Sequence, residues 1–131
     1  LVRSRGLGDV YKRQDVLGQY DGWSVVVDVK STRNIANFGK ECENYGYPQQ
    51  AWWYLRGLAC LAPARRRFII VAISTEPPYE VRVLEMGEAE LSIGQRKLLP
   101  CLHKLLHGQQ TGEWPSYPNA IEPLTLPAWA Y

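Results

Sequence analysis

Residues 25–32 form the most restrictive pattern in this chain. Three valines precede Asp28 and a fourth follows it, and Lys30 comes directly after the fourth valine. β-Branched residues favour a buried strand, and because side chains alternate along a strand, Asp28 and Lys30 share one face. Two charges at the end of a core strand cost roughly several kcal/mol per ion unless they are paired or bound to a metal. The pair is therefore either a structural ion pair or part of a functional site.

A second strand is predicted directly upstream, over residues 15–20. The Asp-Gly pair at residues 21–22 favours a two-residue type I′ turn, because both central positions of that turn need positive φ. Counting outward from this turn places Asp15 opposite Asp28. Directly paired residues lie on the same face of a sheet. The hairpin is thus predicted to bring two carboxylates and Lys30 onto one surface.

Two carboxylates about 5 Å apart repel each other unless a cation lies between them. Oxygen ligands without nearby His or Cys suit Mg²⁺ or Mn²⁺ rather than zinc, and Mg²⁺ is often held by two carboxylates and a substrate phosphate. A cation in that setting activates water and shields a phosphodiester under attack. Lys30 would position or deprotonate the water, or neutralise the transition state. The pattern predicts a metal site for phosphodiester hydrolysis.

These residues carry a resemblance to a known family. Asp15, a turn and then residues 28–30 (Asp-Val-Lys) resemble the core of the PD-(D/E)xK nuclease superfamily. Gln50 and Tyr54 resemble the Gln-x-x-x-Tyr helix motif of the exonuclease branch that includes phage λ exonuclease and RecB-type nuclease domains. The order and spacing of these motifs make the similarity fairly specific.

The C-terminal tail extends the resemblance. Residues 113–115 (Glu-Trp-Pro) and 124–130 are similar to the end of RecE-type exonuclease VIII catalytic domains. Members of that family place a further helix, with another metal ligand, before the position of Asp15. The chain is therefore expected to be a RecE-type domain over residues 15–131 that is incomplete at its N-terminus, and to be weakly active or inactive by itself.

The resemblance implies a restriction-endonuclease-like α/β core and an exonuclease that degrades double-stranded DNA ends from the 5′ side. The implied catalytic residues are Asp15, Asp28, Lys30, Gln50 and Tyr54, with Asp15, Asp28 and the Val29 carbonyl as ligands of Mg²⁺ (or Mn²⁺). The resemblance also implies that Gln50 and Tyr54 lie beside the metal site and support Lys30 and phosphate. The implied setting is phage-type DNA recombination beside a single-strand annealing protein, in the cytoplasm of a bacterial or phage-infected cell. A homo-oligomeric ring is a further expectation.

Three alternatives stay open. Gln50 could be incidental and Tyr54 a core aromatic. The domain could be a noncatalytic DNA-end-binding or assembly module that keeps the nuclease fold, in which case binding would persist without metal. It could also be a related endonuclease of the Cas4-like or Holliday-junction type, which would cut circular DNA.

The remaining elements follow from apolar periodicity and turn residues. We predict helices over residues 35–46, 48–61 and 87–107 and a second hairpin with strands over residues 68–74 and 79–84. The first of these two strands is strongly apolar and is expected to be buried on both faces. Pro100 predicts a kink or break in the last helix. The alternation of hairpins and helices predicts an α/β fold with a small mixed central sheet flanked by helices.

Two further groups of charged or polar residues were weighed. Arg65, Arg66 and Arg67 precede a strand, so they form either a solvated turn or a contact to the DNA backbone. His103 and His107 are four residues apart, but no carboxylate partner is evident nearby, which favours surface residues over metal ligands.

Composition limits the class of protein. The whole chain has a net charge of +2, and residues 1–14 alone carry +3. The remaining residues therefore have a net charge of about −1, which gives no support for DNA binding. That segment is predicted to be a non-native-looking or disordered leader, or else a basic arm that contacts phosphate. The three cysteines have no metal-ligand spacing and indicate a reducing compartment. No apolar run approaches the roughly 18 residues that a membrane helix needs.

Overall fold

The computed structural model describes residues 15–116 and 118–130, without the side chain of Asp15. The chain divides into two compact units, Leu1–Pro100 and Cys101–Tyr131. The leader predicted over residues 1–14 lies outside the described residues.

A four-stranded mixed sheet forms the centre of the first unit. Its strands are β1 (Asp15–Tyr20), β2 (Trp23–Thr32), β3 (Arg66–Ser74) and β4 (Val81–Glu85), in the spatial order β1-β2-β3-β4. β2 and β3 run parallel, whereas the two outer pairs are antiparallel. The predicted α/β fold with a small mixed sheet and two hairpins is confirmed.

The turn between β1 and β2 has the predicted geometry. Asp21 has φ of 49° and Gly22 has φ of 74°, so both central residues lie in the left-handed region that a type I′ turn requires. The pairing counted outward from this turn puts Asp15 opposite Asp28, as predicted. Two adjacent residues thus determine which side chains of the hairpin share a face.

The helices are close to those predicted. They are a 3₁₀ turn at Ile35–Asn37 followed by α1 (Phe38–Asn44), α2 (Tyr47–Leu61) and α3 (Glu88–Thr111). The 3₁₀ turn is capped by the Asn34 side chain, whose Oδ1 accepts a hydrogen bond from the Asn37 amide at 3.2 Å. α3 continues through Pro100, so a break there is wrong, whereas a kink at Pro100 stays a prediction.

The hydrophobic core lies on one face of the sheet. Buried residues of β2, β3 and the helices form it: Val26, Ile35, Phe38, Ala51, Phe68, Ile70, Ala72 and Met86. Along β3 burial alternates, and Ile73 on the opposite face is 36% exposed. The prediction that this strand is buried on both faces is therefore wrong. An unbroken apolar run does not distinguish a strand covered on both faces from one covered on a single face.

The second unit contains the end of α3 and an irregular tail. The ring of Trp114 packs against Gly108 on the last turns of α3. His103 and His107 are both exposed, so they are surface residues, as predicted. A short 3₁₀ turn at Ala128–Ala130 follows the tail.

The helices also bear on the predictions from composition. Cys42, Cys60 and Cys101 lie on α1, α2 and α3, and they form no disulfide with one another. None of the helices in the described part of the chain is sufficiently long and apolar to span a bilayer.

Candidate active site

Asp28 and Lys30 form a close ion pair on the inner face of β2. The Lys30 ammonium lies 2.7 Å from Asp28 Oδ2, and the two side chains are 14% and 1% exposed, respectively. Side chains two residues apart on a strand point the same way, and this face is the one that α1 and α2 cover. Because this ion pair is sheltered from water, removing one partner would leave an uncompensated buried charge, which costs about 3–5 kcal/mol of folding stability.

Gln50 and Tyr47 complete the surroundings of Lys30. The Lys30 ammonium donates a hydrogen bond to Gln50 Oε1 at 3.3 Å, and it lies 4.6 Å from the centre of the Tyr47 ring. A cation over an aromatic face is attracted by the ring quadrupole. Lys30 is therefore held by a carboxylate, an amide oxygen and a ring, which leaves its ammonium a well-defined position.

The first turn of α2 supplies both of these partners. Gly46 precedes the helix with φ of 69°, and Pro48 lies in the first turn, where a missing amide hydrogen has no cost. Tyr47 and Gln50 are three residues apart and so lie on the same side of the helix. The predicted contact between Gln50 and Lys30 is present, whereas Tyr47 was missed although its spacing from Gln50 could have indicated it.

Tyr54 lies one turn further along α2 and packs against apolar residues. Its ring centre is 6.3 Å from that of Phe68, and it borders an apolar hollow with Val26 and Leu58. The described contacts of Tyr54 thus belong to the hydrophobic core. A role for Tyr54 beside phosphate or Lys30 stays a prediction.

Burial and neighbouring groups raise the pKa of two side chains near Lys30, Tyr47 and Cys42. Burial raises the pKa of Tyr47, and nearby groups that include Cys42, Glu41 and Asp28 raise it further. Burial, followed by the Glu41 carboxylate, also raises the pKa of Cys42, although Lys30 acts in the opposite direction. At neutral pH both groups therefore keep their protons, so neither is a candidate base or nucleophile.

The structure does not bring the arginine run to this site. Arg66 and Arg67 are the first residues of β3, paired with Ser24 and Val25 at the opposite end of the parallel ladder from Lys30. Arg66 and Arg67 are thus six and five residues of strand from the level of Lys30. At about 3.3 Å per residue, these separations are about 20 Å and 17 Å. The predicted solvated turn is thus wrong for these two residues, because the strand begins earlier than predicted.

All three arginines have contacts within the protein. Arg65 and Arg67 lie over the Trp23 ring, and Arg67 pairs with Glu85 at 3.5 Å. Arg66 donates hydrogen bonds to the carbonyls of Ala62 and Ala64. A DNA contact by this run stays a prediction.

Among the described side chains, no group of three or more His, Cys, Asp or Glu could hold a metal ion. The Asp15 side chain lies outside that set, but its backbone pairs with Asp28. The donors predicted here are the carboxylates of Asp15 and Asp28 and the Val29 carbonyl, all of them oxygen. This donor chemistry fits a hard cation such as Mg²⁺.

A cleft beyond Lys30 was not anticipated from the sequence. It has a volume of about 610 Å³ and lies where β2 and β3 end, with Tyr47 in its wall. Thr32 Oγ1 donates to Glu41 Oε1 at 2.6 Å and accepts from the Asn34 amide at 3.0 Å. Thr32 lies two residues after Lys30 on the same face of the strand, and this spacing is the signal that could have found it.

The position of α2 depends on Gly94 of α3. A Cβ atom added to Gly94 would overlap the carbonyl group of Pro48 in the first turn of α2. We therefore expect Gly94→Ala to displace the start of α2, to lower the free energy of unfolding by about 2–3 kcal/mol, and to weaken any activity that depends on Gln50. Urea unfolding measures the first effect.

Gly57→Ala provides the matched control. Gly57 lies on an exposed part of α2, and no atom lies within 4 Å of the position that its Cβ would take. Alanine in a helix interior is favoured over glycine, so this variant is expected to gain about 0.5–1 kcal/mol. Equal effects of the two substitutions would show that the contact between Gly94 and Pro48 does not position α2.

Comparison with known families adds one finding. A family model described as a PDDEXK-like domain of unknown function (DUF3799) matches residues 13–127, which is most of the chain. The comparison of the chain with curated proteins found no match. The description does not name the RecE-type exonucleases, so that narrower assignment stays a prediction.

Proposed function

The chain belongs to the PDDEXK-like domain family, and from this premise we propose that it is a metal-dependent deoxyribonuclease that hydrolyses phosphodiester bonds. The observation that carries the proposal is the Lys30 ammonium, which is held at 2.7 Å from Asp28 and 3.3 Å from Gln50. Gln50 reaches this ion pair from a separate helix, α2, and it is the first residue of the Gln-x-x-x-Tyr motif. The arrangement thus joins the Asp-x-Lys motif to that glutamine, whereas Tyr54 of the same motif packs against Phe68.

The proposed chemistry assigns a task to each residue. Asp28, Asp15 opposite it and the Val29 carbonyl would hold Mg²⁺ (or Mn²⁺), which when bound lowers the pKa of water and offsets negative charge on phosphate. Lys30 orients the attacking water and stabilises the charge that develops on the phosphate oxygens. Gln50 Oε1 accepts a hydrogen bond from the Lys30 ammonium and so keeps the Lys30 Nζ atom in place.

The substrate and setting that we propose are those of RecE-type and λ-type exonucleases. The domain would act on ends of double-stranded DNA in phage-type recombination, beside a single-strand annealing protein and as a ring-shaped homo-oligomer. A bacterial or phage-infected cell would be its location. The contact between Gln50 and Lys30 supports this branch, because Gln50 begins the motif on which the resemblance rests.

The test compares an end-labelled linear duplex with a closed circle, each with Mg²⁺ or with EDTA. We expect degradation by this chain alone to be weak, to be confined to the linear DNA, to require metal, and to be abolished by Lys30→Ala. Lys104→Ala, which removes an exposed lysine of the second unit, is the charge-matched control and should behave as the wild type. Cleavage of the circle would indicate an endonuclease. Metal-independent end binding without any cleavage would contradict the enzyme and favour a noncatalytic binding module.

A further inference from the structure

The cleft where β2 and β3 end adjoins the proposed catalytic residues. Tyr47 lies under the Lys30 ammonium and also forms part of the cleft wall. The carboxyl ends of parallel strands are where α/β proteins most often bind ligands. The volume of about 610 Å³ is within the range of roughly 300–1,000 Å³ that small-molecule-sized groups occupy.

The lining of the cleft carries both signs of charge. Arg33 provides an exposed guanidinium, whose planar donors match phosphate oxygens. Glu41 provides a carboxylate that can accept hydrogen bonds from the N–H groups of a base. The Ser31 hydroxyl adds a donor and an acceptor, and the Thr75 hydroxyl, which donates to the Thr32 carbonyl at 3.3 Å, adds an acceptor. A nucleotide presents both an anionic phosphate and N–H donors, whereas a simple anion would be repelled by Glu41.

An exposed aromatic side chain borders the same cleft. Tyr45 is 69% exposed, and its ring stacks on Tyr47 with centroids 5.9 Å apart and planes 28° from parallel. One face of Tyr45 is therefore supported by Tyr47, which is itself held against Lys30. Bases stack on such supported rings, and loss of one such ring weakens binding by about tenfold or more.

The segment that carries Arg33 is rigidly held. The Thr32 carbonyl accepts from the Thr75 amide at 2.8 Å, and the Thr32 hydroxyl bridges Glu41 and the Asn34 amide. These bonds join the ends of β2 and β3 to α1 on both sides of Arg33. Little ordering would be needed when a ligand binds, and this favours affinity.

We propose that this cleft is a subsite for one unpaired nucleotide of the DNA strand, next to the phosphate that is cleaved. The base stacks on Tyr45 and a phosphate contacts Arg33. The proposal rests on the nuclease function and goes beyond it, because it states which form of DNA the site accepts. A base can stack on a tyrosine only when it has left its own duplex stack, so the cleft selects frayed or single-stranded ends.

The test uses short single-stranded DNA that carries the fluorescent base 2-aminopurine at one of several positions, in EDTA so that no cleavage occurs. Stacking on tyrosine quenches this base. We expect quenching at one position, loss of quenching and about tenfold weaker binding for Tyr45→Ala, and retention of both for Tyr45→Phe. Tyr20→Ala is the matched control, since Tyr20 is 71% exposed and lies outside the cleft.

A second pair of variants tests the phosphate contact. Arg33→Ala should weaken binding and reduce the slope of log affinity against log salt by about 0.7, the value for one phosphate contact on a single strand. Arg56→Ala removes an exposed guanidinium further along α2 and should leave the slope unchanged. Together the two pairs separate a defined subsite from general attraction of DNA.

Two outcomes would overturn the subsite. The first is that 2-aminopurine is quenched as strongly by Tyr45→Ala as by the wild type. The second is that Tyr45→Ala and Tyr20→Ala lose quenching and binding affinity equally. Failure of the nuclease function has a different signature. In that case no cleavage would depend on both metal and Lys30. The quenching of 2-aminopurine in EDTA would nevertheless still depend on Tyr45.

Discussion

Asp28→Asn is expected to lower the rate of Mg²⁺-dependent DNA hydrolysis by about 10²- to 10³-fold, the usual loss when one preorganised electrostatic group is removed. Asparagine has nearly the shape of aspartate, so the fully buried position stays filled. What disappears is the negative charge that would hold the cation and that pairs with Lys30 at 2.7 Å. Cleavage of an end-labelled linear duplex measures the effect.

The same variant has a readout that does not depend on cleavage. A ligand that binds only the folded protein stabilises it by about 2.7 kcal/mol at a hundred times its dissociation constant. Mg²⁺ should therefore raise the melting temperature of the wild type but not of Asp28→Asn. Asp21→Asn is the control, because Asp21 is an exposed turn residue with φ of 49°, a conformation that asparagine tolerates. An equal Mg²⁺-induced shift in Asp28→Asn would rule out Asp28 as a ligand.

Lys30→Met should be comparably damaging, by about 10²- to 10³-fold in rate, because methionine keeps an apolar stem but has no ammonium for the water or the phosphate. It should also lower the free energy of unfolding by about 3 kcal/mol, since it removes the cation beside the buried Asp28 carboxylate. Urea unfolding and the duplex assay measure the two effects separately.

The double variant Asp28→Asn with Lys30→Met distinguishes structure from catalysis. Removing both charges leaves no uncompensated carboxylate, so most of the lost stability should return, whereas activity should not. Recovery of cleavage in the double variant, or full activity of Lys30→Met, would show that the pair is structural only.

The hairpin shows how far local sequence determines a site. A type I′ turn requires positive φ at both central positions, and the Asp21-Gly22 pair favours that turn. The turn then set the register that places Asp15 opposite Asp28. The spacing of Asp28 and Lys30 likewise predicted their common face, because alternation is a property of any strand. The α/β class followed from the order of hairpins and helices.

Features that depend on distant packing were not predicted. β3 was expected to be covered on both faces, yet Ile73 is 36% exposed, since an apolar run does not record which neighbours exist. The sequence did not show where the arginine run lies relative to Lys30, and the parallel register of β3 puts Arg66 and Arg67 at the other end of the sheet. Register between strands separated by two helices depends on the whole fold rather than on one turn.

The sequence by itself therefore determined the hairpin, the paired positions of Asp15 and Asp28, and Lys30 beside them, because each depends on neighbouring residues and on backbone geometry. The sequence motif pointed to Gln50 beside Lys30, but only the tertiary structure decided how α2 reaches Lys30 and added Tyr47. Gln50 and Tyr47 reach its ammonium because α2 packs across the sheet, with its first turn set against Gly94. The cleft beside them arises in the same way, where the ends of two parallel strands meet a helix, and such a space has no signature in any single stretch of sequence.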